Sequence, residues 1–356
     1  MREFCSDCWS VCSRVFCAVI LVGVSACSSP NILNDISEYQ QRLSRVLDTD
    51  LSSQTRPVNT ANHAVYPERD TLLQPPSGID INLTRFHQLQ QCELGNLVAE
   101  HNTALGKIQH FSQRLRYEQQ FLAALTDCIE LAESRATQRS SYAELAATMT
   151  RWQTIKEAEY TLHWSNMLVL SDETKAAFSR ARPALLYEEN IDIAGQVSLF
   201  KHLSRFADHH YQPKQSIEAD LQAISATRLP ATMWQAQQQV ATHLPPLTAA
   251  LKAQLANIDC THSTPAEATI LRNVFYLFFI EKIQPAGARL NDFAYQFAPV
   301  IHAWQASPAL PDSFKRYLRL QQQGFTAYQQ AMQQHVLLWQ TFLGRCGLSP
   351  VASAGT

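Results

Sequence analysis

The densest group of side chains able to ligate a metal or move a proton is His202, Asp208, His209, His210 and Glu218. His202 and His209 stand two helical turns apart, so they share a helix face but are too distant to chelate one ion unaided. The chain has no Glu-x-x-His pair, with which di-metal bundles aim two ligands inward. The group is therefore expected to be surface or partly buried polar residues. Glu159 and His163, spaced i, i+4, have the types of a general-base pair or a metal half-site, and the expectation is a hydrogen bond on a helix surface. Cys5, Cys8, Cys12 and Cys17 have metal-like spacing but lie within a segment that reads as a removable signal, ahead of its cleavage site, and would be discarded with it. No Gly-x-Ser-x-Gly elbow, phosphate-binding glycine loop or His-Glu-x-x-His occurs. No catalytic residue, metal ligand or cofactor is assigned.

The elements around these residues begin with that signal. Val15 to Ala26 is an uncharged run of the length of a secretory h-region and too short to span a bilayer. Glu3 and Asp7 offset Arg2 and Arg14, which is atypical of a signal's first region. The run ends Val24-Ser25-Ala26-Cys27, which resembles the bacterial lipobox, whose cysteine becomes lipid-modified. Acylation at Cys27 would add about 0.8 kcal/mol per buried methylene and hold the chain to a membrane without a spanning helix. Ser28 follows in place of the Asp that resembles an inner-membrane retention signal. The expected location is the outer membrane, facing the periplasm.

Beyond Cys27 lie four cysteines: Cys92, Cys128, Cys260 and Cys346. An even number in an oxidising compartment suggests two disulfides, with three possible connectivities. Helical spacing runs from Leu83 to Val98 and again from Leu115 to Leu131, with a break near 103–112. The midpoint of 92 and 128 falls in that break, as expected of a bond across an antiparallel hairpin. Thr264-Pro265-Ala266-Glu267 reads as a helix start with a capping box. The helix runs through Val274 to Ile280, is kinked or broken at Pro285 and Gly287, and resumes to Trp304. After a turn at Ser307 to Pro311, a long return helix reaches Gly344. The midpoint of 260 and 346 lies near that turn, so sequential pairing, Cys92–Cys128 and Cys260–Cys346, is the reading preferred.

Ile36 to Leu51 predicts a short amphipathic helix, and the proline-bearing stretch to Pro76 a surface strap. Ser141-Tyr142-Ala143-Glu144 predicts a capping box opening a helix through Trp152 and Trp164. Further helices are expected near 171–181, 195–210, 216–226, 231–243 and 247–257, the last two separated by Pro245 and Pro246. The apolar run Val274–Ile280 reads as core. Strand patterns are missing, and 10 glycines in 356 residues argue against barrels and sandwiches. The fold class is all-α: an elongated helical bundle built from disulfide-stapled antiparallel hairpins. The segments are a signal at 1–26, then anchor, short helix and strap at 27–80, then a helical body at 81–356, which divides into 81–225 and 226–346 if it holds two bundles.

The stretch Cys92-Glu93-Leu94, Val98 to Lys107 and Ser112 to Glu118, with Cys128 and Gly344-Arg345-Cys346-Gly347, resembles an uncharacterised family of proteobacterial lipoproteins, the domain of unknown function 3080. The resemblance covers most of the chain after Cys27 and implies location more than activity. If the family shares a site, the resemblance points to the polar group at the hairpin, Asn102, Arg114, Tyr117 and Glu118, the candidate polar site. Asn can hydrogen-bond a turn, and Arg, Tyr and Glu can fix a helix start, so a bracing role is favoured. The chain departs from the family pattern at His101, where the pattern has Arg, so no permanent charge is assured there.

Lys and Arg total 29 against 31 Asp and Glu, a net charge of -2, which excludes the broad basic field of a general nucleic-acid binder. The expectation is a non-enzymatic envelope protein that contacts the membrane through its lipid and acts on other envelope proteins as an interaction or assembly factor. The alternative is a binding protein or enzyme for a small molecule or peptidoglycan fragment, using the 102–118 hairpin.

Overall fold

The computed structural model of the chain describes residues 30–55, 64–104 and 109–349. Cys27, the upstream cysteines and the signal-like run lie outside them. Among the described residues all regular structure is helical. The order is α1 (Ile32–Val46), α2 (Leu51–Gln54), α3 (Arg69–Leu72), α4 (Leu83–Leu89), α5 (Glu93–His101), α6 (Phe111–Arg135), α7 (Ser140–Leu170) and α8 (Asp172–Ser179). A 3-10 turn (Pro183–Tyr187), α9 (Ile193–Arg205), α10 (Ile217–Thr227), α11 (Leu229–Ala256) and α12 (Ala266–Val274) follow. A π-helical segment (Phe275–Ile283) then leads into α13 (Gln284–Ala306), and α14 (Asp312–Arg345) closes the chain.

The first helix shows how pattern becomes packing. Asn31 caps α1 by accepting the Leu33 N–H at 2.8 Å. Ile32, Ile36, Tyr39 and Leu43 recur at helical spacing and are all buried. They pack into the larger of two apolar clusters with α8 to α14. The smaller cluster joins α4, α5, α6 and the first half of α7 through Leu89, Leu94, Phe121, Leu125, Met149 and Trp152. The larger cluster draws on residues from both sides of position 225, whereas the smaller lies within 81–225.

Both disulfides pair sequentially. Cys92 is the N-cap of α5 and bonds Cys128 in α6 at a Cα separation of 5.7 Å. Cys260, after α11, bonds Cys346, the C-cap of α14, at 5.0 Å. Both distances suit a disulfide.

Several local expectations give way to packing. The single helix expected across 83–98 is two, α4 and α5, meeting at Gln90–Cys92. There a side chain on Gly95 would lie 2.6 Å from the Leu89 carbonyl, so only glycine allows the two helices to close. Pro245 and Pro246 do not divide a helix: α11 runs through them. Two prolines in a helix interior cost several kcal/mol, but Leu244, Leu247 and Leu251 are wholly buried around them along the α11–α14 contact. Thr248 also returns its hydroxyl to the Leu244 carbonyl at 2.8 Å.

The expected break at Pro285 is instead a register change. The π turns place Phe275, Phe279 and Ile283 in the core and leave Leu277 half exposed, so the run is not buried all round. Pro285 then sits in the first turn of α13, where its missing N–H costs little. Neither capping box forms. α7 starts one residue before Ser141, with Arg139 as its N-cap. Thr264 instead donates its hydroxyl to the Cys346 carbonyl at 2.9 Å, fastening the end of the second hairpin.

Candidate functional site

On α6, Arg114, Tyr117 and Glu118 fall at i, i+3 and i+4, one face of the helix. On α7, Lys156, Glu159, Tyr160 and His163 repeat that stripe along a face turned inward. Where the helices cross, Glu118 is enclosed at 1% exposure. Its Oε2 meets Lys156 Nζ at 2.8 Å, and its Oε1 meets Arg114 Nη2 at 2.7 Å and lies 3.6 Å from His163 Nε2.

The electrostatics of the group follow from that enclosure. Burial opposes ionisation of Glu118, but the charges of Lys156 and Arg114, and of His163 where acid protonates it, outweigh it and hold the carboxyl below its usual range. Burial drives the His163 imidazole down to about 4, so it is neutral near pH 7. A carboxylate between one buried ammonium and one half-shielded guanidinium is thus compensated in place. Arg114 also reaches His101 Nε2 and lies over the Tyr117 ring at 5.3 Å, and that ring stacks on His101 at 4.2 Å.

The structure therefore brings Arg114, Tyr117 and Glu118 together, with His101 beside them. Asn102 is set apart: it is the exposed C-cap of α5, and its N–H returns to the Val98 carbonyl at 3.1 Å. Lys156, Tyr160 and His163 belong to the cluster and were not singled out with it. Their signal was the i, i+4 and i+7 spacing of Lys156, Tyr160 and His163, which sets them on one face of α7 with Met149 and Trp152. Glu159 and His163 do not bond each other on a helix surface, because both are buried and face different partners. Glu159 accepts the backbone N–H groups of Ser77 at 2.7 Å and Gly78 at 3.1 Å. His202 pairs with Asp220, whose other oxygen accepts from Gln215 Nε2 at 2.7 Å. Among the described residues no three His, Cys, Asp or Glu converge as a metal site.

Chemically, the Glu118 cluster is closed. Of the clefts of about 710, 570, 330 and 160 Å³, none is lined by Glu118, Lys156 or His163. The smallest is lined by His101, Arg116 and Tyr117, at the outer edge of the hairpin. The 570 Å³ cleft lies elsewhere, between α8, α11 and α14, with Phe178 and Trp234 at its floor.

These features define an all-helical protein of disulfide-stapled hairpins, braced where α6 crosses α7 by a buried carboxylate among basic groups. Over residues 36–350 the chain matches the family described as "Protein of unknown function (DUF3080)", and it belongs to that family. Neither the curated proteins nor the solved structures contain a match.

Proposed function

We propose that this protein is a lipid-anchored envelope protein, held to the outer membrane through Cys27, whose periplasmic helical body acts by non-covalent contact with other envelope components. The observation that carries the reading is the pairing of all four cysteines of the body within hairpins, Cys92 with Cys128 and Cys260 with Cys346. Such pairs persist where the surroundings are oxidising. Among the described residues no helix is long and apolar enough to cross a membrane, so attachment rests on the lipid. Four residues of chain join Cys27 to the α1 cap at Asn31, a reach of about 14 Å when extended, so anchoring at Cys27 keeps α1 close to the bilayer.

The reading as an interaction factor is supported by the state of the hairpin residues. Glu118, Arg114 and Tyr117 are spent on one another, on Lys156 and on His101. Ligand binding at the 102–118 hairpin has less in its favour, because Glu118 is shut away from every cleft named above.

The test is peptide-level mass spectrometry of the protein taken from its own membranes without reductant. An acylated Cys27 at the mature terminus, with both disulfides intact, is expected. A chain beginning at Met1 with free thiols would overturn the anchor and the compartment together.

A further inference from the structure

The outward face of α14 carries no formal charge over most of its length. Between Arg319 and Arg345 there is no Asp, Glu, Lys or Arg, although charged residues make up 17% of the chain. That stretch runs for about seven helical turns, or about 37 Å. Its exposed positions hold Gln323, Gln330, Gln333, Gln334 and Gln340, and among them stands Leu337 at 59% exposure. The polar faces of surface helices are ordinarily laced with charges, and their depletion around an apolar centre is the compositional mark of an interface core.

Beside Leu337 a groove of about 710 Å³ opens between α13 and α14. Gly287 sets its floor. The Tyr328 hydroxyl donates to the Gly287 carbonyl at 2.9 Å, and a side chain at 287 would lie 2.9 Å from that hydroxyl. Met332 and Val336, both half-buried, continue the floor, and Gln284, Gln329, Gln333 and Gln340 edge it. Every side chain lining the groove is uncharged. Gln329 donates to the Tyr295 hydroxyl at 3.0 Å, whereas the amides of Gln333 and Gln340 make no hydrogen bond to the described residues.

The chemistry of this face selects a second copy of the chain as its occupant. A two-fold interface presents the same patch twice, so it needs a ridge and the groove that receives it on one face, and Leu337 and the α13–α14 groove are such a pair. An amide both donates and accepts, so Gln333 and Gln340 can pair with their own counterparts, whereas a face rich in one charge would repel itself. A partner that docks by opposite charge finds nothing here to recognise. The net charge of -2 adds little long-range repulsion between copies. A strip about 37 Å long and two helices, about 20 Å, wide covers about 740 Å², close to the roughly 800 Å² that each partner buries in a standard interface.

We infer that the protein forms a two-fold dimer through this face, with Leu337 of each copy seated over Met332 and Val336 in the groove of the other. The dimer goes beyond contact with other envelope components and does not depend on acylation of Cys27.

The test is sedimentation equilibrium of the full lipidated chain in a density-matched detergent, with micelles in excess. A mass of two chains is expected, with a dissociation constant in the micromolar range or below. Leu337→Glu, at an exposed position, should keep the helical content and weaken the dimer about a hundredfold or more, because each interface would bury two uncompensated carboxylates. Gln333→Glu should weaken it about tenfold, and less so at high salt. Ile270→Glu, on α12 and half exposed outside the groove, should leave it unchanged. A single-chain mass at every concentration, a dimer that survives Leu337→Glu, or one that Ile270→Glu breaks equally would each overturn the assignment. Two chains held together only by a shared micelle would give the second of these results.

Discussion

Trp339 donates its indole N–H to His335 Nε2 at 3.1 Å, one turn earlier on α14. An indole can only donate, so Nε2 is an acceptor and the proton of the neutral ring is on Nδ1. Nδ1 then donates to Thr248 Oγ1 at 2.9 Å, and that hydroxyl passes its own hydrogen to the Leu244 carbonyl at 2.8 Å. The Tyr39 hydroxyl also reaches Nε2, at 3.1 Å. One imidazole thus ties α1, α11 and α14 together inside the apolar core, at the turn of α11 where two prolines interrupt the ladder of backbone hydrogen bonds.

That ring makes folding stability depend on pH in a definite direction. Burial drives the His335 pKa from 6.5 down to about 3, and burial likewise lowers His163 to about 4. Below pH 6.5 the unfolded chain takes up protons that the folded chain refuses, so stability is complete above about 6.5 and falls as pH drops towards the folded pKa values. Each histidine contributes a slope of up to about 1.4 kcal/mol per pH unit in that window. Urea unfolding at pH 7, 6 and 5 should show the fall, and His335→Leu should reduce its slope by up to about 1.4 kcal/mol per pH unit. An unchanged slope in that variant would contradict a neutral, buried His335.

Truncating the same residue removes more than a slope. His335→Ala leaves the Tyr39 hydroxyl and the Trp339 indole N–H facing a cavity without an acceptor, at a cost of about 3–5 kcal/mol near pH 7. The denaturant midpoint measures it, and a loss below about 1 kcal/mol would mean that the network is not formed in solution.

The Glu118 cluster predicts a strongly non-additive pair. Lys156→Met leaves a buried carboxylate supported only by the part-exposed Arg114, and Glu118→Gln leaves a buried ammonium without its counter-charge. Each single change should cost about 3–5 kcal/mol, and the double variant distinctly less than their sum. A double-mutant cycle by urea denaturation decides it, and simple additivity would show that Lys156 and Glu118 do not act as a pair.

How far these residues were legible in the sequence depended on the range of their partners. Arg114, Tyr117 and Glu118 were singled out, with Asn102, through the family resemblance, and their i, i+3 and i+4 spacing sets the three on one helix face whatever the tertiary fold. Lys156 and His163 reach Glu118 only through the crossing of α6 and α7, an angle that no local pattern specifies. Both hairpins could be read because a disulfide and a turn midpoint together fix a register. The continuity of α11 through Pro245 and Pro246 could not, since local propensity says stop and only the burial of Leu244, Leu247 and Leu251 says continue.

The strap between α3 and α4 should come loose without unfolding the body. Asn166 binds Gln74 as a backbone would, accepting its N–H at 3.0 Å and donating to its carbonyl at 2.7 Å, while Glu159 holds Ser77 and Gly78. Glu159→Ala with Asn166→Ala removes both clasps, each of about 1–2 kcal/mol. Hydrogen exchange at Gln74, Ser77 and Gly78 should speed up by at least tenfold, with exchange in the α11–α14 core unchanged. Global acceleration would mean that the strap folds with the body as one unit.

The two disulfides should differ in worth in the order of their loops. Cys92–Cys128 closes a separation of 36 residues and Cys260–Cys346 one of 86. On loop-closure entropy alone these correspond to about 3.8 and about 4.6 kcal/mol. Position adds to the difference. Cys346 is buried against the larger cluster and its carbonyl accepts from Thr264, whereas Cys92 and Cys128 join the smaller one. The Cys260→Ser, Cys346→Ser variant should therefore lose more stability than Cys92→Ser, Cys128→Ser, and should lose it in the main unfolding transition. The first pair, removed alone, should loosen α4 and α5 while leaving α11 and α14 protected. Thermal melts with hydrogen exchange on the two double variants separate the cases, and the reverse order would show that the first hairpin, not the second, holds the body closed.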